Sequence, residues 1–265
     1  MDGLRLRYLD YGAAGKPAML CIHGGAAHAH WFDFVAPQLS REYHVRSLDL
    51  RGHGESAWAD PPDYAYARYA ADVAEVVRQL DLRDFVLVGH SMGGTVSLIY
   101  AALYPGRARA LIVADSTLQM SAERIATLRE VGTRKGKSYA SREEFVDSYR
   151  LRPSGSTAAP EVIRHLAQRS VRQNADGTWG HKFDRSVYAT REAVDGLDYW
   201  NRIAIPALLV RGELSARITP QVVEAVTARC SQVEVATVTG SDHHVTLDNP
   251  AGFVEAVRTF LRERP

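Results

Sequence analysis

Short apolar runs alternate with amphipathic segments along most of the chain. The runs are too short for helices, and most of them are continuously apolar, which predicts strands buried on both faces. They cover residues 18–22, 44–48, 85–88, 110–114, 207–210 and 233–238. Apolar residues recur at helical spacing in residues 67–80, 95–103 and 251–262. This alternation predicts parallel βαβ units, and hence an α/β fold with a mostly parallel sheet covered by helices.

Two segments depart from that pattern. Residues 4–11 alternate between apolar and polar positions, which predicts an antiparallel hairpin at one edge of the sheet. Residues 116–202 hold helical segments but no convincing strand. We therefore expect a core of residues 1–115 and 203–265, with residues 116–202 inserted as a helical cap. Open α/β sheets bind ligands at the carboxyl ends of their strands, where such an insertion would lie.

Composition excludes several classes of protein. The chain has 265 residues, 46% of them hydrophobic, and a formal net charge of +1, which gives no reason to expect nucleic acid or an anionic membrane as partner. It has no apolar signal core, and no run approaches the roughly 18 apolar residues of a membrane span. Two distant cysteines, Cys21 and Cys230, are more consistent with free buried thiols than with a disulfide. These features predict a cytoplasmic protein with a small-molecule substrate, and they leave the oligomeric state open.

The strongest chemical signal is the segment GHSMGG at residues 89–94. It matches G-x-S-x-G, with an apolar strand before it and a small-residue helix after it, which is the context of a nucleophile elbow. Ser91 must then occupy a sharp turn, and Gly89 and Gly93 remove side chains that would clash there. The alternative is a glycine-rich turn with a capping serine.

A serine nucleophile needs a base and an oxyanion site. His243 and His244 lie between the last predicted strand and the last helix and compete for the role of base, the alternative being two surface histidines. HGG at residues 23–25 follows the first predicted strand, so the backbone N–H groups of Gly25 and Met92 can converge on a carbonyl oxygen. No zinc-ligand spacing is present, and the adjacent histidines alone are a weak metal signal.

Four motifs together resemble the α/β-hydrolase superfamily over essentially the whole chain. They are HGG at 23–25, DLRGHGES at 49–56, GHSMGG at 89–94 and GSDHHVTLDNP at 240–250. The resemblance implies an eight-stranded sheet, a helical cap and a serine–histidine–acid triad without a cofactor. It also implies that Pro250 selects His243 over His244, and that Asp49 and Arg51 are structural. KFD at 182–184 and RGELS at 211–215 are similar to a bacterial subset that includes the hydrolases of (E)-2-(acetamidomethylene)succinate.

The acid of the triad departs from the commonest family pattern. In most members it follows the strand after the cap, but that position here holds Ser215 or Ala216. Asp115, which ends the strand after the nucleophile helix, is the favoured replacement, as in some relatives. A carboxylate needs only to reach the histidine, whatever its place in the sequence. The alternatives are Glu213, and a purely capping role for Asp115 with Ser116 and Thr117.

Two acidic residues, Asp242 and Asp248, flank His243 too closely to be preferred.

Specificity is expected to lie in the cap, where cationic side chains are able to pair with a substrate carboxylate. They include Arg124, Arg129, Arg134, Lys135, Lys137, Arg142, Arg150, Arg152, Arg164, Arg169 and Arg172. Candidate aromatic residues for an acyl pocket are Trp31, Trp179, Tyr188, Tyr199 and Trp200. The favoured function is hydrolysis of a small ester or lactone. The alternatives are hydrolysis of an amide or C–C bond in a carboxylated catabolic intermediate, and a ligand receptor with a slow or inactive triad.

Overall fold

The computed structural model describes residues 3–116 and 119–262. Within them, a seven-stranded sheet forms the centre of the molecule. Its strands are β1 (Arg7–Asp10), β2 (Ala18–Ile22), β3 (His44–Asp49), β4 (Phe85–His90), β5 (Ala108–Ala114), β8 (Ala207–Gly212) and β9 (Val233–Val238). Every predicted strand is present, and several extend beyond the predicted ends.

The strands follow the order β1-β3-β2-β4-β5-β8-β9, and every neighbouring pair is parallel except β1 with β3. The sheet therefore has seven strands in the described residues instead of the eight implied by the resemblance. The expected antiparallel edge is present, because β1 pairs antiparallel with β3 at one end of the sheet, but it is not a hairpin. The N-terminal segment forms a single strand, and the next strand, β2, lies on the other side of β3, because its residues are apolar on both faces.

Helices cover both faces of this sheet, and others lie in the segment between β5 and β8. They are α1 (Ala36–Leu39), α2 (Tyr66–Gln79), α3 (Met92–Leu103), α4 (Ala122–Thr133), α5 (Arg142–Ser148), α6 (Pro160–Arg169), α7 (Ser186–Ala189), α8 (Gly196–Trp200), α9 (Pro220–Thr227), α10 (Val245–Asp248) and α11 (Pro250–Arg262). Met19 and Cys21 of β2 belong to the apolar cluster on the side of α1 and α11, whereas Leu20 and Ile22 belong to the cluster with α2 and α3. The sheet is thus buried on both faces, as its apolar strands require.

The segment between β5 and β8 contains helices α4 to α8 and a small hairpin. The hairpin pairs β6 (Val171–Gln173) with β7 (Trp179–His181), so the expectation of no strand in this region is wrong. Each strand is only three residues long, below the length at which alternation is detectable. The sequence did contain one signal: Asp176-Gly177 is a favoured hairpin dipeptide, and Gly177 has φ of 82°.

Several polar contacts attach this inserted segment to the core. Tyr64 donates a hydrogen bond to Asp184 with 2.6 Å between Oη and Oδ2, and Lys182 pairs with Glu55 at 2.5 Å. Asp248, near the last helix, accepts hydrogen bonds from the backbone N–H groups of residues 157 and 158. These contacts hold the inserted segment over the carboxyl edge of the sheet. None of the helices in the described ranges combines the length and the apolar character needed to cross a membrane.

Candidate active site

Ser91 lies on a sharp turn between β4 and α3. Its backbone has φ of 54° and ψ of −123°, a conformation that is strained for a residue with a Cβ atom. The turn is held by a hydrogen bond of 2.9 Å from the Ser91 N–H to the Ala114 carbonyl of the neighbouring strand. A further hydrogen bond of 2.7 Å runs from the Ser116 hydroxyl to the Ser91 carbonyl. The surrounding structure thus maintains a strained backbone that raises the serine side chain above the sheet.

The two flanking glycines are required by the close approach of other backbone. A Cβ atom on Gly89 would lie 2.3 Å from the Gly93 carbonyl oxygen, and one on Gly93 would lie 2.3 Å from the Ile22 carbonyl oxygen. Both distances are far below van der Waals contact. The G-x-S-x-G spacing is therefore explained by the packing of α3 against β4 and β2.

His243 lies in the loop between β9 and α10, and its imidazole joins two other side chains. Its Nε2 is 2.9 Å from the Ser91 Oγ, and its Nδ1 is 2.8 Å from the Asp115 Oδ1. His244 points elsewhere, with its Nε2 3.1 Å from the Pro153 carbonyl oxygen. The structure therefore brings Ser91, His243 and Asp115 together and leaves His244 outside the chain of hydrogen bonds.

Asp115 ends β5 with φ of 41°, and its side chain is fully buried. Besides His243, it accepts hydrogen bonds from the Gly212 N–H at 2.9 Å and from the Ser215 hydroxyl at 2.8 Å. Ser215, which stands where most family members have the acid, thus donates to the same carboxylate oxygen that His243 contacts. Glu213 is exposed and accepts a hydrogen bond from the Gly240 N–H.

The alternative role for Asp115 was to cap the chain through Ser116 and Thr117. The Ser116 hydroxyl is directed to the Ser91 carbonyl, and Thr117 lies outside the described residues. Of the two flanking acids, Asp242 accepts from the His243 N–H and Asp248 accepts from the Asp242 N–H. These carboxylates shape the histidine loop through its backbone.

Burial controls the protonation of this group of residues. It lowers the pKa of the His243 imidazole, and the nearby Arg217 guanidinium and His244 lower that pKa further. Burial also raises the pKa of Asp115, while the hydrogen bonds from Gly212 and Ser215 lower it. A neutral imidazole at rest is the form that can accept a proton from a hydroxyl.

The predicted oxyanion donors lie beside the serine. Gly25 and Met92 are adjacent, since a Cβ atom on Gly25 would lie 3.6 Å from the Met92 sulfur. The loop that carries Gly25 is fixed by the Ala26 N–H, which donates to the His53 Nε2 at 3.1 Å. Asp49, expected to be structural, accepts from the Ala29 N–H at 2.6 Å and thereby fixes the far side of the same loop.

Arg51, also expected to be structural, is buried and forms an ion pair with Asp72 of α2, with 2.5 Å between Nε and Oδ2. This pair lies below the turn of the DLRGHGES motif.

Comparison with known proteins identifies the family of this chain. A sequence model described as the alpha/beta hydrolase fold matches residues 17–250. Esterase Rv0045c of Mycobacterium tuberculosis is 30% identical over 260 residues, covering 94% of this chain and 84% of the esterase. The chain therefore belongs to the α/β-hydrolase family. The resemblance inferred from the four motifs is confirmed, and the protein is a hydrolase.

Two further matches involve one named activity. The 2-(acetamidomethylene)succinate hydrolase of Mesorhizobium japonicum is 29% identical over 252 residues, covering 92% of this chain and 88% of that enzyme. A crystal structure of E-2-(acetamidomethylene)succinate hydrolase superposes with a TM-score of 0.84 at 24% identity, covering 98% of this chain and 99% of the other. At that identity the superposition establishes the shared fold alone.

Two cavities of this α/β-hydrolase have Ser91 in their linings. The first has a volume of about 330 Å³ and extends under the inserted segment. Its cationic lining residues are Arg134, Lys135, Lys137, Arg150, Arg152 and Arg185. The second has a volume of about 210 Å³ and lies on the Met92 side of the serine. Its cationic lining residues are Arg124, Arg152, Arg191 and Arg217. Neither lining contains an aspartate or a glutamate among the described residues.

The predicted cap residues divide into two groups. The cations at 124, 134, 135, 137, 150 and 152 line a cavity, whereas those at 129, 142, 164, 169 and 172 do not. Of the aromatic candidates, Trp31 and Tyr188 line the first cavity, Trp200 is fully buried in the core, and Trp179 and Tyr199 pack against the two apolar clusters. Sequence reasoning did not single out Arg185, Arg191 or Arg217, because nothing in their local pattern separates a buried arginine from a solvated one.

One histidine cluster in the described residues has the spacing of a metal site. Nitrogen atoms of His90, His243 and His244 lie within 4.8 Å of one another. The Nδ1 atoms of His90 and His244 are buried and have no hydrogen-bond partner within the described part of the chain. Both ring nitrogens of His243 are already engaged, Nε2 with Ser91 and Nδ1 with Asp115, so a metal ion held by all three histidines would break one of these two hydrogen bonds.

Proposed function

We propose that this α/β-hydrolase cleaves small carboxylic esters or lactones through an acyl-enzyme on Ser91. The observation that carries the proposal is the continuous chain of hydrogen bonds from the Ser91 Oγ through the His243 imidazole to the Asp115 carboxylate. A serine hydroxyl becomes an effective nucleophile when a neutral imidazole accepts its proton and a carboxylate stabilises the resulting cation.

In the acylation step, the Ser91 Oγ attacks the substrate carbonyl carbon while its proton passes to the His243 Nε2. Negative charge develops on the carbonyl oxygen, where the N–H groups of Gly25 and Met92 donate to it. Asp115 holds the Nδ1–H tautomer and stabilises the imidazolium. Collapse of the tetrahedral intermediate breaks the bond to the leaving alkoxide, which takes the proton from His243 and departs as the alcohol.

Deacylation repeats these steps with water as the nucleophile. Water gives its proton to the His243 Nε2 and attacks the acyl carbon, and the same N–H groups receive the charge. The ester bond to Ser91 then breaks, the serine oxygen recovers a proton from His243, and the carboxylic acid is released. The two steps together consume one water and leave the enzyme unchanged.

Hydrolysis of an amide or C–C bond in a carboxylated intermediate is a second candidate, supported by a different observation. Both cavities at Ser91 have a cationic lining without an acidic residue among those described. A relative of similar length is named for its action on an acetamidomethylene derivative of succinate, which carries an amide and two carboxylates. Its mechanism would use the same serine, base and oxyanion donors, with nitrogen or carbon as the leaving atom.

Hydrolysis of p-nitrophenyl acetate and butyrate tests the proposed function. We expect turnover by the wild type and a loss of about 10³-fold or more in kcat for Ser91→Ala and for His243→Gln. A fluorophosphonate should label one site per chain, identified as Ser91 by peptide mass spectrometry. The matched control is Ser231→Ala, because this exposed serine lies before β9, at the opposite edge of the sheet.

Each result has a defined meaning. Turnover by Ser91→Ala at the wild-type rate would refute the acyl-enzyme. A wild type that is labelled by the phosphonate but turns over no ester, while hydrolysing N-acyl substrates, would favour the second candidate. A folded wild type that is neither labelled nor active would favour a ligand receptor on this fold.

A further inference from the structure

Arg191 follows α7 in the inserted segment, and its side chain is unusual in having no acidic partner. The residue is 6% exposed, so it is almost wholly removed from solvent. Its Nη1 donates to the Tyr66 hydroxyl at 2.8 Å, and its Nη2 lies 3.2 Å from the Met92 sulfur. The Nε is buried and has no hydrogen-bond partner in the described part of the chain. No carboxylate of the described residues forms a salt bridge with it.

A buried guanidinium in this state is costly. Burying a charge without a counter-charge removes hydration that a phenol and a thioether do not replace. The buried Arg51 of the same chain has the expected solution, an ion pair with Asp72. Arg191 has no such pair among the described residues, which leaves its guanidinium able to pair with an anion from outside the protein.

The position of Arg191 places this anion next to the reacting serine. Arg191 lines the 210 Å³ cavity together with Ser91, Met92 and Gly25. Its Nη2 would lie 3.6 Å from a Cβ atom on Gly25 and lies 3.2 Å from the Met92 sulfur, so it is next to both residues that carry the predicted oxyanion donors. A group bound to Arg191 is therefore close to the scissile carbonyl of the same substrate.

The other charges around this cavity have the same sign. Arg124, Arg152 and Arg217 also line it, and no aspartate or glutamate of the described residues does. A positive potential enclosed by protein raises the local concentration of anionic ligands. The planar guanidinium matches a carboxylate, which can accept from two N–H groups at once.

We propose that Arg191 is a specificity-determining residue that binds a carboxylate of the substrate in the cavity on the Met92 side of Ser91. The natural substrate is then the ester or amide of a small acid that bears a second, free carboxylate. This proposal rests on the proposed hydrolase function, whose site it extends. The carboxylate can belong to the acyl group or to the leaving group.

Two pairs of esters measure the preference for a carboxylate on either side. Monomethyl succinate and methyl 4-methylpentanoate place a carboxylate or an isopropyl group on the acyl side. Acetoxyacetate and isobutyl acetate do the same on the alcohol side. Hydrolysis is followed by pH-stat, and the readout is the ratio of kcat/KM within a pair. We expect the wild type to favour the carboxylate in at least one pair, and Arg191→Met to lower that ratio about 10- to 100-fold.

Arg164→Met is the matched control, because Arg164 belongs to the same inserted segment, is largely exposed and lines neither cavity. Arg164→Met should keep the wild-type ratio. Arg191→Lys should have a ratio between those of Arg191→Met and the wild type, because lysine keeps the positive charge. A wild type without preference in either pair would overturn the proposal. An unchanged ratio in Arg191→Met would also overturn it. So would an equal fall of the ratio in Arg164→Met, because the preference would then come from the overall positive charge of the inserted segment.

A binding measurement separates this proposal from the hydrolase function and does not depend on a stable Arg191→Met. Succinate should bind folded Ser91→Ala in calorimetry, with succinamide binding at least tenfold more weakly because it lacks the charge. Succinate binding without ester turnover by the wild type would refute the hydrolase and retain the carboxylate site. Ester turnover by the wild type with equal binding of succinate and succinamide would retain the hydrolase and refute the carboxylate site.

Discussion

The carboxylate at the end of β5 can be tested by replacing Asp115 with asparagine. Three donors converge on this side chain: the His243 Nδ1–H at 2.8 Å, the Ser215 hydroxyl at 2.8 Å and the Gly212 N–H at 2.9 Å. A carboxylate accepts from all three, because both of its oxygens are acceptors. An asparagine has one acceptor oxygen, so its NH₂ group must face at least one of these donors.

The size of the effect depends on which donor faces the NH₂ group. If it faces His243, the imidazole adopts the other tautomer, and the Nε2 then carries a proton and cannot accept one from Ser91. A change of this kind in a serine triad lowers kcat about 10⁴-fold, equivalent to about 5 kcal/mol in the activation barrier. If it faces Gly212, one buried donor loses its acceptor, at a cost of about 1–3 kcal/mol in the free energy of unfolding.

The assay is kcat/KM for p-nitrophenyl butyrate, with urea unfolding measured on the same preparations. We expect Asp115→Asn to lose about 10³- to 10⁴-fold in kcat/KM while remaining folded. Glu213→Gln is the matched control, because Glu213 is exposed and, among the described residues, its side chain accepts only from the loop N–H of Gly240. It should remain within about twofold of the wild type, as surface substitutions usually do.

The opposite pattern would refute the assignment. If Asp115→Asn keeps more than a tenth of the activity and Glu213→Gln loses most of it, the acid is Glu213. A relocated acid gives a second check. The Ser215 Oγ is 2.8 Å from the same carboxylate oxygen that His243 contacts. Adding Ser215→Asp to Asp115→Asn should therefore restore kcat/KM by about tenfold or more, because the acid is defined by its reach to the imidazole.

Three further predictions concern pH, stability and thiols. Burial lowers the pKa of His243, so this base should stay neutral at pH values where a free imidazole is already protonated. We therefore expect kcat/KM to stay constant as the pH is lowered to about 6. A fall in kcat/KM that begins above about pH 7 would contradict this. Asp72→Ala removes the carboxylate that pairs with the buried Arg51 guanidinium and should lower the free energy of unfolding in urea by about 3–5 kcal/mol. A loss below about 1 kcal/mol would show that the pair is not needed. Cys21 and Cys230 are free and buried, so Ellman's reagent should detect two thiols in denaturant and neither within minutes in the native protein; rapid native reaction of either would contradict its burial.

The local parts of this protein were readable from its sequence. Periodicity placed the inner strands, and the turn at Ser91 followed from glycines at positions 89 and 93. These features could be predicted because burial on two faces produces a continuous apolar strand, and backbone contact at 2.3 Å permits only glycine. The position between the last strand and the last helix limited the candidates for the base to His243 and His244.

The sequence by itself thus determined the parallel α/β architecture and the sharp turn at Ser91. Only the tertiary structure decided which carboxylate meets His243, because the choice between Asp115 and Glu213 depends on where each side chain points at the ends of the adjacent strands β5 and β8. The same holds for Arg191, which is buried by residues distant in the sequence such as Tyr66. Periodicity records the environment along one element, whereas a site is formed by side chains from several elements whose mutual positions are set by packing.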